Sequence, residues 1–175
     1  MEKVALLLTV LLMTACSLLP VEPTLEPPTT APDLTPAPAS TPLPFALIDA
    51  NPVFSGICFE SVYDAAGRTF VLRNAEELNT LFNESDNSGY CRRPAQRGSF
   101  DFRDGQRAII GMWGRGQGCE AHHQIDRVDI DDVARTFIIR ARLVVTGDCP
   151  YELVRPLWLG VSGYNDYDIR LLVGN

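Results

Sequence analysis

After Lys3 the chain contains no lysine; its other 14 cations are all arginine, against 22 acids and a formal net charge of −7. The arginines alternate with acids along the chain. Phosphate binding by counterion release needs clustered cations, so nucleic acid is excluded as a partner. Histidine is scarce: His122 and His123 are the two in the chain. No Gly-x-Ser-x-Gly nucleophile elbow occurs, and Ser55-Gly56 and Ser162-Gly163 read as turns. No apolar run reaches the ~20 residues of a membrane-spanning helix. Residues 17–44 hold no aromatic residue and no glycine, so they cannot build a core.

What is present begins with a secretory pattern. Lys3 precedes an apolar run from Val4 to Ala15, which ends at Met13-Thr14-Ala15-Cys16. A charged start, a short apolar stretch and small residues before cysteine predict a lipoprotein signal over residues 1–15, with Cys16 carrying a diacylglycerol. An ordinary secretory signal or an uncleaved anchor is the alternative. Nine of the thirteen prolines fall in residues 20–44, mixed with Thr, Ala and Ser. Proline withholds backbone donors and favours extended conformations, so residues 16–44 read as the lipidated cysteine and a semi-rigid tether. Residues 45–175 then form one domain, with 14 Arg against 18 acids for a net charge of −4. The expected location is the bacterial cell envelope, lipid-anchored, with the domain extracytoplasmic.

With Cys16 assigned to lipid, Cys58, Cys91, Cys119 and Cys149 remain as an even set and predict two disulfides in an oxidising compartment. Three pairings stay open; the preferred one joins Cys91 to Cys119 and Cys58 to Cys149.

Patterning predicts strands over 54–63 and 69–73, joined by a turn at residues 64–67. Asn74 as N-cap, Glu77 three residues on, and Leu78, Leu81 and Phe82 on one face predict a short helix over 75–83. A loop over 84–97 follows, then a short strand at 100–102 and a turn at Asp104-Gly105. Residues 108–113 read as a strand buried on both faces, interrupted by Gly114, Gly116 and Gly118. Strands over 123–130, 136–145, 152–159 and 166–173 complete the set. That over 136–145 alternates Phe137, Ile139, Ala141, Leu143 and Val145 against Ile138, Arg140, Arg142 and Val144. The expected fold is mainly β with one short helix, a disulfide-stabilised antiparallel β-sandwich or open barrel.

Chemical motifs are few. Cys119-Glu120-Ala121-His122-His123 gathers metal-binding residue types, but a closed zinc site needs four convergent ligands and Cys119 is assigned to a disulfide. Adjacent histidines on a strand face opposite ways. No metal, cofactor or catalytic residue is expected. Gly114-Arg115-Gly116-Gln117-Gly118 lacks the strand-to-helix context and Gly-Lys-Ser/Thr ending of a phosphate loop and reads as a long hairpin loop. Trp113, Arg115, Gly116, Gly118, His122 and His123 are the candidate partner-binding residues.

Several segments follow one order: Ser99-Phe100-Asp101-Phe102, Ile109-Ile110-Gly111-Met112-Trp113-Gly114, a Gly-rich turn into Ile125, and Cys149-Pro150-Tyr151-Glu152-Leu153-Val154-Arg155. Upstream, residues 70–82 place a strand before a helix carrying Leu78-x-x-Leu81-Phe82. Over roughly residues 54–157 this order resembles the PrcB C-terminal domain family. The resemblance implies a non-enzymatic, exported β-rich domain, in a family named for a lipoprotein subunit that stabilises a secreted serine protease. Ala121 and His122 stand where that family has paired glycines, so the partner itself is not carried over.

The sequence therefore leads to a non-catalytic domain that binds or stabilises another exported protein, a secreted protease being one candidate. Two other classes compete. One is a small-ligand or carbohydrate module using Trp113, Trp158, Tyr164 and Tyr167 as platforms. The other is a chagasin-type protease inhibitor presenting residues 114–118 and 155–158 as loops.

Overall fold

A computed structural model describes residues 47–103 and 105–174. The signal, Cys16, the whole tether and Asp104 lie outside the described residues. The fold is mainly β, in two sheets packed as a sandwich.

The first sheet has strand order β1 (Leu47–Asp49), β6 (Glu152–Ser162), β3 (Arg107–Gln117) and β2 (Phe70–Leu72), all antiparallel. The second has order β4 (Glu120–Asp131), β5 (Thr136–Thr146) and β7 (Asp168–Gly174). Here β4 and β5 form an antiparallel ribbon, whereas β7 runs parallel to β5, so this sheet is mixed rather than antiparallel. Parallel neighbours need a crossover. It is supplied by β6, which leaves β5 and crosses to the other sheet before β7 returns.

Two helices, rather than one, cover the outer face of the first sheet. Residues 54–63, expected as a strand, instead end a 3-10 turn (Asn51–Phe54) and enter α1 (Phe59–Ala65). Phe54 and Ile57 are buried just before α1 and Val62 of α1 packs against the same core, and a disulfide from Cys58 to Cys91 and the Ser85 Oγ to Ser61 Oγ bond tie α1 to its neighbours. The second helix, α2 (Ala75–Asn87), starts where expected, with Asn74 Oδ1 accepting from the Glu77 amide, and extends beyond residue 83. Its last turn buries Ser85 against α1, a contact invisible to hydrophobic periodicity. Residues 100–102 form no ladder; Phe100 and Phe102 pack edge-to-face at 5.0 Å against the core.

The result is three layers with two cores. Ile109, Trp113, Val154 and Trp158 face the helices with Phe54, Leu78 and Phe82. Ala108, Ile110 and Met112 face the second sheet, meeting Phe137, Ile139 and Ile169. A strand lying between two layers must be apolar on both faces, as the 108–113 run is.

The expected cysteine pairing is overturned: Cys58 bonds Cys91, and Cys119 bonds Cys149. Long strands place two of the three chain crossings between sheets, β3 to β4 and β5 to β6, at one end, where Cys119 and Cys149 lie side by side. Cys58 and Cys91 lie in the helical layer.

Candidate interaction surface

The glycines after Trp113 do not interrupt the strand. β3 continues through Gln117 in unbroken register with β6, pairing Gly114 with Arg155 and Gly116 with Leu153. The chain changes sheet only at Gly118 and Cys119, so the expected long loop is a two-residue turn. None of Gly114, Gly116 and Gly118 has positive φ. They serve close approach: an added Cβ would lie 2.5 Å from the His123 ring at Gly114, and 2.7 and 2.4 Å from Val145 at Gly116 and Gly118. This removes both Gly116 and Gly118 as exposed contact residues, since their faces are filled by the second sheet.

Trp113 is also not an anchor. It is 3% exposed, 4.8 Å from Trp158 edge-to-face, while Trp158 is fully buried and stacked on Phe54 at 3.7 Å. Both tryptophans therefore fail as carbohydrate platforms. Tyr164 packs on Phe137 and Tyr167, and the Tyr167 hydroxyl donates to Asp132. Residues 155–158 lie inside β6, paired with residues 111–114, so neither proposed inhibitor loop protrudes.

Arg115 alone among the six is an exposed residue at the edge of a built cluster. It is the next side chain after Trp113 on the helix-facing side, just beyond the aromatic core. Its Nε lies 3.4 Å from Glu152 Oε1, and its guanidinium carbon sits 5.1 Å above the Tyr63 ring. The Tyr63 hydroxyl donates to Glu152 Oε2 at 2.6 Å. That bond to a carboxylate favours the protonated phenol and raises its pKa. One turn earlier on α1, Phe59 is 59% exposed, with its ring 5.9 Å from Tyr63. Positions i and i+4 share a helix face, so α1 presents Phe59 outward beside a half-buried Tyr63, which packs against the core together with Val62 and Ala65. The strand expected over residues 54–63 hides Phe59 and Tyr63, and Glu152, in its expected strand, meets them only across the fold. The signal was the helical spacing of Phe59 and Tyr63.

His122 is exposed and His123 half-buried on the opposite face, as adjacent strand residues must be. His123 Nε2 lies 3.1 Å from the Arg155 carbonyl, and burial holds its imidazole below the ordinary range. Among the described residues no group of three or more His, Cys, Asp or Glu is arranged to hold a metal ion.

Carboxylates are engaged structurally. Asp86 accepts from the Ala95 amide and Arg97, Asp101 from the Arg103 amide and side chain, and Asp129 from Arg140; each is shifted below the usual range. Asp131 caps its turn through the Val133 and Ala134 amides. An open depression of about 800 Å³ lies between the start of α2 and residues 100–103, 105 and 106. Its Arg73 is committed to the Asn165 and Tyr167 carbonyls, which leaves no free cation from that residue for a ligand. No family model, curated protein or solved structure matches the chain.

Proposed function

We propose that the protein is an exported lipoprotein, held to a membrane by lipid on Cys16 and a Pro-rich tether, whose non-catalytic domain binds or stabilises another exported protein. The observation that carries this reading is the Phe59, Tyr63, Arg115 and Glu152 cluster. An exposed phenylalanine and a half-buried tyrosine beside a guanidinium are residue types that anchor protein interfaces. The cluster is also pre-ordered: α1 is tied by a disulfide, and Arg115 and Tyr63 share one carboxylate. Pre-ordering reduces the entropy lost on association. Two disulfides suit an oxidising, extracytoplasmic compartment. The resemblance to the PrcB C-terminal domain family makes a secreted protease one candidate partner, and the departure at Ala121 and His122 leaves the partner's identity to experiment.

A photo-crosslinking side chain at position 59 or 115, in protein extracted from membranes with mild detergent, tests the reading. It should trap one exported protein, and the same probe at Leu172, exposed on β7, should not. Repeated recovery of no protein from either position would refute the proposal. If the trapped protein is a protease, its lifetime in cells should shorten when this chain is deleted.

A further inference from the structure

The two sheets are joined at the β3–β4 end by reciprocal hydrogen bonds. His123 Nε2, on β4, is 3.1 Å from the carbonyl oxygen of Arg155 on β6, and Arg155 Nε donates to the Ala121 carbonyl at 2.9 Å. A carbonyl only accepts, so Nε2 carries the hydrogen and the neutral ring leaves a lone pair on Nδ1. That Nδ1 is buried with no hydrogen-bond partner among the described residues.

Three other strands flank the half-buried ring. β3 contributes Gly114, with no room for a methyl group between it and the imidazole. β5 contributes Leu143, the cross-strand neighbour, and β6 contributes Arg155. On β4 itself the adjacent His122 points to the opposite, exposed face. None of these groups is a carboxylate. A proton on Nδ1 would create a buried N–H without an acceptor and a second positive charge near Arg155, both costly in a low-dielectric interior. Burial, aided by His122, already holds the imidazole below its ordinary pKa of 6.5.

We propose that His123 is an acid-released latch between the two sheets: protonation of its ring opens the β3–β4 corner locally, while the Cys119–Cys149 disulfide keeps the strand ends attached. The neutral ring closes the corner and the charged ring disfavours it. Opening uncovers the Val145 side chain now covered by Gly116 and Gly118. One proton is taken up on opening, so the opening equilibrium rises by up to about tenfold per pH unit below about 6.5.

Amide hydrogen exchange on the full chain at pH 7, 6 and 5, corrected for intrinsic exchange chemistry, tests this. Protection in residues 114–124 and 153–156 should fall by that factor while α2 amides hold theirs. His123→Gln retains an N–H donor for the Arg155 carbonyl without titrating, and should flatten the response; His122→Ala should leave it intact. Protection independent of pH in the unmodified protein, persistence of the response in H123Q, or its loss in H122A overturns the latch. If H123Q fails to fold, an NMR titration of the unmodified protein decides. A His123 titration below 6.5 that moves together with the corner resonances supports the latch, and one at or above 6.5 overturns it.

Discussion

At the scale of single residues, glycine does two different jobs. Gly111 faces the helix layer, and a Cβ there would lie 2.4 Å from the Trp158 ring, with the Leu157 carbonyl at 2.6 Å. Neither neighbour can retreat, because Trp158 is locked between Phe54 and Trp113. Gly111→Ala should therefore lower the unfolding free energy by about 1–3 kcal/mol in urea denaturation. Gly163 has open space around it but φ +84°, so Gly163→Ala should cost about 1 kcal/mol through backbone conformation alone. Tyr63 provides a residue-scale test of the surface. Its phenol should ionise above the ordinary value of 10.0, and Glu152→Gln should bring it down, as read from tyrosine ring carbon shifts across an alkaline titration. None of this was legible in the sequence. A tryptophan beside a glycine-rich run looks the same whether the run is a loop or a strand pressed against a second sheet.

Among the elements, α2 was legible because its signals are local. Asn74, Glu77 and the spacing of Leu78, Leu81 and Phe82 all lie within nine residues, and the cap forms as read, with the Asn74 side chain on the Glu77 amide. Asn74→Ala should destabilise the protein by about 1 kcal/mol and Asn74→Ser by little, measured by thermal or urea unfolding. The alternation in β5 was equally plain, since Phe137, Ile139 and Ala141 are buried on one face. α1 was misread. It has only seven residues and no side-chain cap, and too short a helix is not stable from local terms. Its conformation depends on Cys91, Ser85 and β3, which lie far along the chain or across the fold. The Phe59, Tyr63 and Arg115 surface depends on α1, so it was hidden for the same reason.

Across the whole molecule, the disulfides divide the work. Each closes a span of about thirty residues, 33 for Cys58–Cys91 and 30 for Cys119–Cys149. Replacing either pair by serine should cost roughly 2–4 kcal/mol in urea. The Cys58 and Cys91 double variant should also weaken crosslinking from position 59, because α1 loses its tie to the end of α2. Stability should fall with acid in two stages. His123 has a lowered folded pKa, so its contribution is complete above about 6.5 and is lost as pH falls toward the folded value. Asp86, Asp101 and Asp129 are lowered from 3.8, so theirs is complete above that value and declines below it. Urea midpoints between pH 8 and 3 should show both stages, with H123Q removing only the first. Composition and local periodicity alone encode the β-rich class, the cap of α2, the two-sided burial of residues 108–113 and the presence of two disulfides. Which cysteines pair, the parallel placement of β7 beside β5, the glycines pressed between sheets and the meeting of Arg115 with Tyr63 and Glu152 emerge from the three-dimensional fold. Those outcomes depend on contacts between residues distant in sequence, and no local window contains both partners.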